Sequence, residues 1–256
     1  MYILKTQEPL MHSMDGREGA LTFEVGALPS LVLRWSLAIT AALTLLYMAT
    51  TDVVFVDLLG FRADASGKAA RNLFRLSEEQ SLPTWYSVIL LLACAAVLLL
   101  IASRQASGGA VTRKAWFVLG FIFVGMSIDE QIGFHETVGN YLGDVVHTGG
   151  PLTYAWVIPG ALFVAVVGLY YLRAFRHLPR TYLALFFGAG AVYVSGALLA
   201  EMFEALVVSG REASSAALDV SYLLQDPLEM AGTAIFLYAL LRYCVDQLGW
   251  HRLTLE

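Results

Sequence analysis

The sequence predicts an all-α integral membrane protein, a bundle of six transmembrane helices with both termini cytoplasmic. Three observations predict it. The 256 residues are 58% hydrophobic and only 14% charged, against about a quarter charged in an ordinary soluble domain, and the mean hydropathy is +0.66. Six apolar runs reach the roughly 20 residues needed to cross a bilayer. Lys and Arg fall mainly on alternate connections between those runs, the pattern that marks the cytoplasmic side.

Residues 1–27 form an N-terminal cytoplasmic or interfacial tail. Glu8, Asp15, Glu18 and Glu24 break up any apolar core of the kind a signal peptide needs, and Met11 or Met14 are alternative starts. The membrane domain covers 28–246, with spans at 29–58, 83–103, 115–138, 154–174, 182–208 and 220–245. Each is expected to be helical, because lipid leaves unpaired backbone groups unsatisfied. The first is longer than a span requires and is expected to tilt or end in an interfacial turn. The sixth contains Pro227, which lacks an N–H and is expected to kink or split the helix near Gln225. Residues 247–256 form a C-terminal tail.

Orientation follows from Lys5, Arg17 and Arg34 at the N-terminal end, Arg104, Arg113 and Lys114 in the second connection, Arg173, Arg176 and Arg180 in the fourth, and Arg242 and Arg252 at the C-terminal end. The connection near 139–153 has no Lys or Arg, and the one near 209–219 has only Arg211. The exception is 59–82, with Arg62, Lys68, Arg71 and Arg75; long loops translocate largely regardless of charge. The expected location is a bacterial-type plasma (inner) membrane.

Several function classes are excluded. With a net charge of −5 and no dense basic stretch, nucleic acid is not an expected partner. Cys94 and Cys244 lie in apolar runs without CxxC spacing and read as packing residues. The histidine boxes of membrane desaturases are absent.

Acidic residues carry the chemistry. Asp52 and Asp57 close the first span. The third reads Ser127-Ile128-Asp129-Glu130-Gln131-Ile132-Gly133-Phe134-His135-Glu136. Glu201 and Glu204 lie in the fifth, and Asp226 and Glu229 in the sixth. Under the orientation above, all four sets fall in the outer half of the membrane. Helical geometry puts Asp129 and Glu136 within about 20° of one another, and the two other pairs about 60° apart. His135 is about 120° from Asp129 and joins them only through a rotamer change or a helix distortion.

A charge at this depth costs a few kcal/mol (about 2.5–3.5) on insertion scales. Protonation, a water-filled vestibule or a bound cation relieves it. Carboxylates three apart on facing helices, with a His, resemble the donor types of bundle-core di-metal sites. The expected metal ligands are Asp129, His135, Glu136, Glu201, Glu204, Asp226 and Glu229, with His147, beside Asp144, as a further donor. The metal is a divalent ion, Fe, Mn or Zn. Glu130 is the expected general base. The Glu-x-x-His pair of carboxylate-bridged di-iron bundles does not occur.

The function expected on this basis is divalent metal binding, with oxidation or hydrolysis of a lipid-soluble substrate. Two other classes fit the same acids: a cation or proton-coupled transporter, and a non-catalytic subunit or sensor of a larger membrane complex. Partners are accordingly membrane lipid, a lipid-soluble substrate or cation, and a membrane-protein partner. Plainer roles stand beside these. Asp52 and Asp57 fit the headgroup region, and Asp226 fits an N-cap to a helix starting at Pro227. Gly188, Gly190 and Gly196 fit close helix packing. Trp85, Tyr86, Tyr154 and Trp156 fit an aromatic belt.

Overall fold

The computed structural model describes residues 21–50, 72–76, 80–104, 111–209, 215–250 and 252–255. Asp52, Asp57 and most of the N-terminal tail lie outside them. The described chain is a helical bundle, and six of its helices are long and apolar enough to cross a membrane.

In chain order the α-helices are α1 (Leu28–Thr50), α2 (Leu82–Arg104), α3 (Arg113–Ile132), a shorter α4 (Phe134–Val146), α5 (Val157–Ala174), α6 (Arg180–Val194), α7 (Glu201–Ser209) and α8 (Ser215–Leu248). A π-helical stretch, Ser195–Ala200, joins α6 to α7, so the two run on as one span, Arg180–Ser209. A two-stranded antiparallel ribbon pairs β1 (Leu21–Glu24) with β2 (Arg252–Leu255) in the register Leu21↔Leu255. The ribbon holds the ends of the chain together at one end of the bundle. Six described spans leave both flanking segments at the same end, where they pair, and the acidic residues of α3, α7 and α8 lie toward the opposite end.

The core follows from the apolar stripes of the spans. α8 is the most enclosed of them and packs against α1, α2 and α6. Toward the ribbon end, Trp116 of α3 is fully buried. Its ring centroid lies 5.0 Å from Phe175, 5.3 Å from Tyr243 and 6.3 Å from Phe186. Polar ties pin the helix ends. Tyr47 donates to Asp219 at 2.8 Å, Tyr182 to Asp246 at 2.7 Å, and Tyr171 to the Ala115 carbonyl at 2.8 Å.

Two local features differ from the sequence reading, each for a physical reason. The third hydrophobic run is interrupted at Gly133, which takes the left-handed conformation (φ 58°, ψ 39°) that glycine adopts without a Cβ penalty. Its N–H caps the Asp129 carbonyl at 2.8 Å, and α4 starts anew at Phe134. By contrast, α8 runs through Pro227 as one continuous helix. Asp226 is therefore an interior helical residue and not an N-cap. Proline here removes only the donor for the Leu223 carbonyl, and the packing of α8 on several neighbours holds the helix together.

Close packing is set by one of the expected glycines, Gly196, and by Gly232, which was not among them. A Cβ on Gly232 would stand 2.5 Å from the Tyr193 backbone N, and one on Gly196 would stand 2.6 Å from the Gln225 carbonyl O. These two residues let α8 touch α6 and the π segment. Gly188 and Gly190 have nothing within 4 Å of such a Cβ. Gly232→Ala is therefore expected to cost about 1–3 kcal/mol by overpacking against backbone. Gly190→Ala is expected to be neutral or to stabilise by up to about 1 kcal/mol. Thermal unfolding of the two purified variants in detergent checks the contrast.

Candidate functional site

At the end of the bundle opposite the ribbon lies a cavity of about 360 Å³. Its wall includes Asp129 and Glu130 from α3, His135 and Glu136 from α4, Glu201 and Glu204 from α7, and Asp226 and Glu229 from α8. Every residue read from the sequence as a metal ligand or base thus borders one space, with the single exception of His147. That residue is exposed beyond the end of α4, caps the helix at φ 51°, and is not part of the wall. No described residue of α1 borders the cavity.

The break at Gly133 builds the first feature of the site. Because the chain turns there, His135 folds back on α3. Its backbone N–H donates to Asp129 Oδ1 at 2.8 Å, and its ring Nδ1 lies 2.9 Å from Asp129 Oδ2. On an unbroken helix the two side chains would diverge by about 120°. Both oxygens of Asp129 are thereby engaged, which makes it the residue that orients His135 and not a free metal ligand. With Nδ1 held by the carboxylate, Nε2 is the ring atom left for a ligand or a proton. The imidazole also packs edge-on against Trp156, with centroids 4.8 Å apart.

Burial opposes charge on His135. The hydrogen bond to Asp129 and the negative charges of Asp129, Glu201 and Glu136 outweigh it, so its pKa is raised above the ordinary imidazole value.

The second feature is a pair of donors on the segment before α5. Trp156 Nε1 donates to Glu201 Oε1 at 2.6 Å, and the Tyr154 hydroxyl donates to Glu204 Oε1 at 2.7 Å. Burial, and then the Glu204 bond, push the Tyr154 hydroxyl well above the usual tyrosine range, so it stays a donor. Glu201 and Glu204 are both buried, 7% and 8% exposed. The other oxygen of Glu201, Oε2, is buried and has no hydrogen-bond partner among the described residues. Across the cavity, Tyr193 and Glu229 both border the same space.

The sequence reading missed the donors. Tyr154 and Trp156 read as interfacial aromatics, and nothing in their spacing relates them to glutamates 45 and 50 residues away. Tyr193 and Tyr222 also border the cavity and carried no signal beyond lying in apolar runs. Among the described residues, no Lys or Arg lines it. Nor, among the described residues, does any group of three or more His, Cys, Asp or Glu side chains stand ready to share one metal ion. The acids surround a space rather than converge on a point.

A family model described as Domain of unknown function (DUF8692) matches residues 36–244. The chain belongs to that family. The match takes in all the spans except the first turns of α1 and the end of α8, and with them every acid of the cavity wall. No curated protein and no solved structure matches.

The Asp129–His135 pair has a testable pH signature. Its folded-state pKa lies above the unfolded one, so the pair contributes fully below the ordinary imidazole value of about 6.5. That contribution is lost as pH rises through His135's own, higher value. Asp129→Asn is expected to melt below the wild type at mildly acidic pH, and the gap is expected to narrow as pH rises. Melting curves across that range check it.

Proposed function

We propose that the cavity is a binding site for the cationic group of an organic ligand, at the outer side of a plasma membrane, with His135 beside it as a proton acceptor or donor. One observation carries this: Glu201, whose Oε2 is buried with no hydrogen-bond partner among the described residues, borders a space walled by further acids and, among the described residues, by no Lys or Arg. A buried acceptor left unmatched is costly, and a positive charge is the group that matches it best. A cation about 4 Å from one carboxylate gains roughly 4 kcal/mol at an effective dielectric near 20.

Two further features favour an organic cation. The volume of about 360 Å³ far exceeds an ion's. Tyr154, Trp156, Tyr193 and Tyr222 share the wall with the acids, and aromatic faces add to the binding of ammonium groups. The outward orientation is supported by the other end of the bundle. There Arg113 donates to the Ala102 and Ser103 carbonyls, and Arg104 packs over Trp250 beside the paired termini. This is the distribution of positive charge found on cytoplasmic faces.

A divalent metal, Fe, Mn or Zn, is the second reading. The orientation of His135 favours it: a metal-binding imidazole commonly gives its other ring nitrogen to a carboxylate. His135 Nε2, Glu201 and Glu229 would hold the ion after side-chain movement, since no three-donor group is assembled among the described residues. The ion would supply Lewis acidity or redox chemistry toward a lipid-soluble substrate.

The experiment is a thermal-shift titration in lipid nanodiscs with butylammonium chloride, set against 1-butanol and against sodium chloride at matched ionic strength. Saturable stabilisation by the ammonium alone is expected, weakened tenfold or more by Glu201→Gln. Equal stabilisation by butanol would overturn the organic-cation reading. Stoichiometric metal in purified wild type, lost in Glu201→Ala and His135→Ala, would establish the second reading in its place.

A further inference from the structure

A second cavity, of about 500 Å³, adjoins the acidic one. Asp129, Trp156, Tyr193 and Ala197 border both. Beyond that shared wall the chemistry changes completely. Apart from Asp129, Trp156, Tyr193 and Thr233, the second cavity is walled by aliphatic and phenylalanine side chains, glycines and Tyr171.

Its shape follows from how α5 is held. At one end, Trp156 is tied to Glu201, and Gly160 lies against Leu198 and the Trp156 ring. At the other, Tyr171 donates to the Ala115 carbonyl and Phe175 packs on Trp116. Between these pins α5 stands off from the bundle. Phe163, Val164, Val167 and Gly168 face a gap whose far wall is α3, α6 and α8. α5 is the least enclosed of the six spans, and Leu162, Val166 and Leu169 on it are more than half exposed. The gap is therefore a slot within the hydrocarbon layer.

Along α3 the slot runs from Asp129 to Leu119. Ten residues at 1.5 Å each make about 15 Å, which is half the hydrocarbon thickness of about 30 Å. The slot thus has the length of a single leaflet's chain.

We propose that this slot holds the hydrocarbon tail of a single-chain amphiphile whose cationic head lies in the acidic cavity. The ligand class is a long-chain amine, entering sideways from the membrane between the two pinned ends of α5. The proposal rests on the cation reading of the head site and adds the tail. Three observations argue for this occupant. The two cavities adjoin at a shared wall, Asp129, Trp156, Tyr193 and Ala197, where a polar lining gives way to an apolar one, as an amphiphile requires. Among the described residues the head site has acids but no Lys or Arg, and Glu201 Oε2 is buried without a hydrogen-bond partner, which favours a positive head over an anionic one. The slot begins at the head site and not at an arbitrary depth. The pair Asp129–His135 stands at the junction, where the first atoms of the tail meet the amine.

Binding of butylamine, dodecylamine and 1-dodecanol is measured in lipid nanodiscs, each corrected for partition into protein-free discs. Dodecylamine is expected to bind at least tenfold tighter than both. Gly168→Leu and Gly190→Leu fill the slot from opposite walls. Each Cβ has open space, so the variants are expected to fold. Each is expected to cut the dodecylamine-to-butylamine affinity ratio at least fivefold.

An equal ratio in wild type, or one unchanged in both filled variants, would overturn the tail site while leaving the head site standing. Dodecanol binding as tightly as dodecylamine would mark a lipid slot with no cationic head, and would overturn both. If neither amine binds, the head reading itself fails.

Discussion

Carboxyl groups set among apolar helices must find hydrogen-bond donors, and this protein's acidic end is arranged around that need. Trp156 serves Glu201, Tyr154 serves Glu204, and the ring and backbone of His135 serve Asp129. All these donors except His135 are otherwise apolar residues that a membrane bundle accommodates easily. Each gives one polar atom to an acid and its hydrophobic body to the packing. The arrangement stops one donor short, at Glu201 Oε2, and the functional reading grows from that gap.

The donors also shape the fold. Trp156 reaches Glu201 only because α5 begins where it does, and this contact is one of the few places where α5 meets the rest of the bundle. The same residue closes the acidic cavity on one side and the apolar slot on the other. A single side chain thus anchors a helix, satisfies a buried acid and separates two environments.

Much of the fold was legible in the sequence because lipid imposes a one-dimensional rule: enough apolar residues in a row make a span. Six spans followed from that alone. That acids of α3, α7 and α8 lie toward the same end and border one space was legible for a related reason, since depth can be counted along each helix from its charged flank. The details were not. Gly133 was read as one residue within a helix, although a glycine between an acid pair and a histidine was the only local sign of a turn. Asp226 before Pro227 matched the signature of a helix start, and only the neighbours of α8 override it. The partners of Glu201 and Glu204 lie 45 and 50 residues back, where pattern within one segment has no reach. Metal coordination was inferred from residue types. Types do not give distances, and the acids stand around a volume instead of a centre.

The π-helical stretch Ser195–Ala200 has a consequence for how such a wall is assembled. An i→i+5 turn absorbs one extra residue within an otherwise regular helix, and each residue advances the helix by about 100°. Shortening that stretch by one residue would swing Glu201 and Glu204 together by about that angle, away from their indole and phenol donors, while leaving α6 untouched. The bulge works as a phase adjuster: it lets one continuous span satisfy the packing of Gly196 and Tyr193 against α8 and, one turn later, point two glutamates at the opposite neighbour.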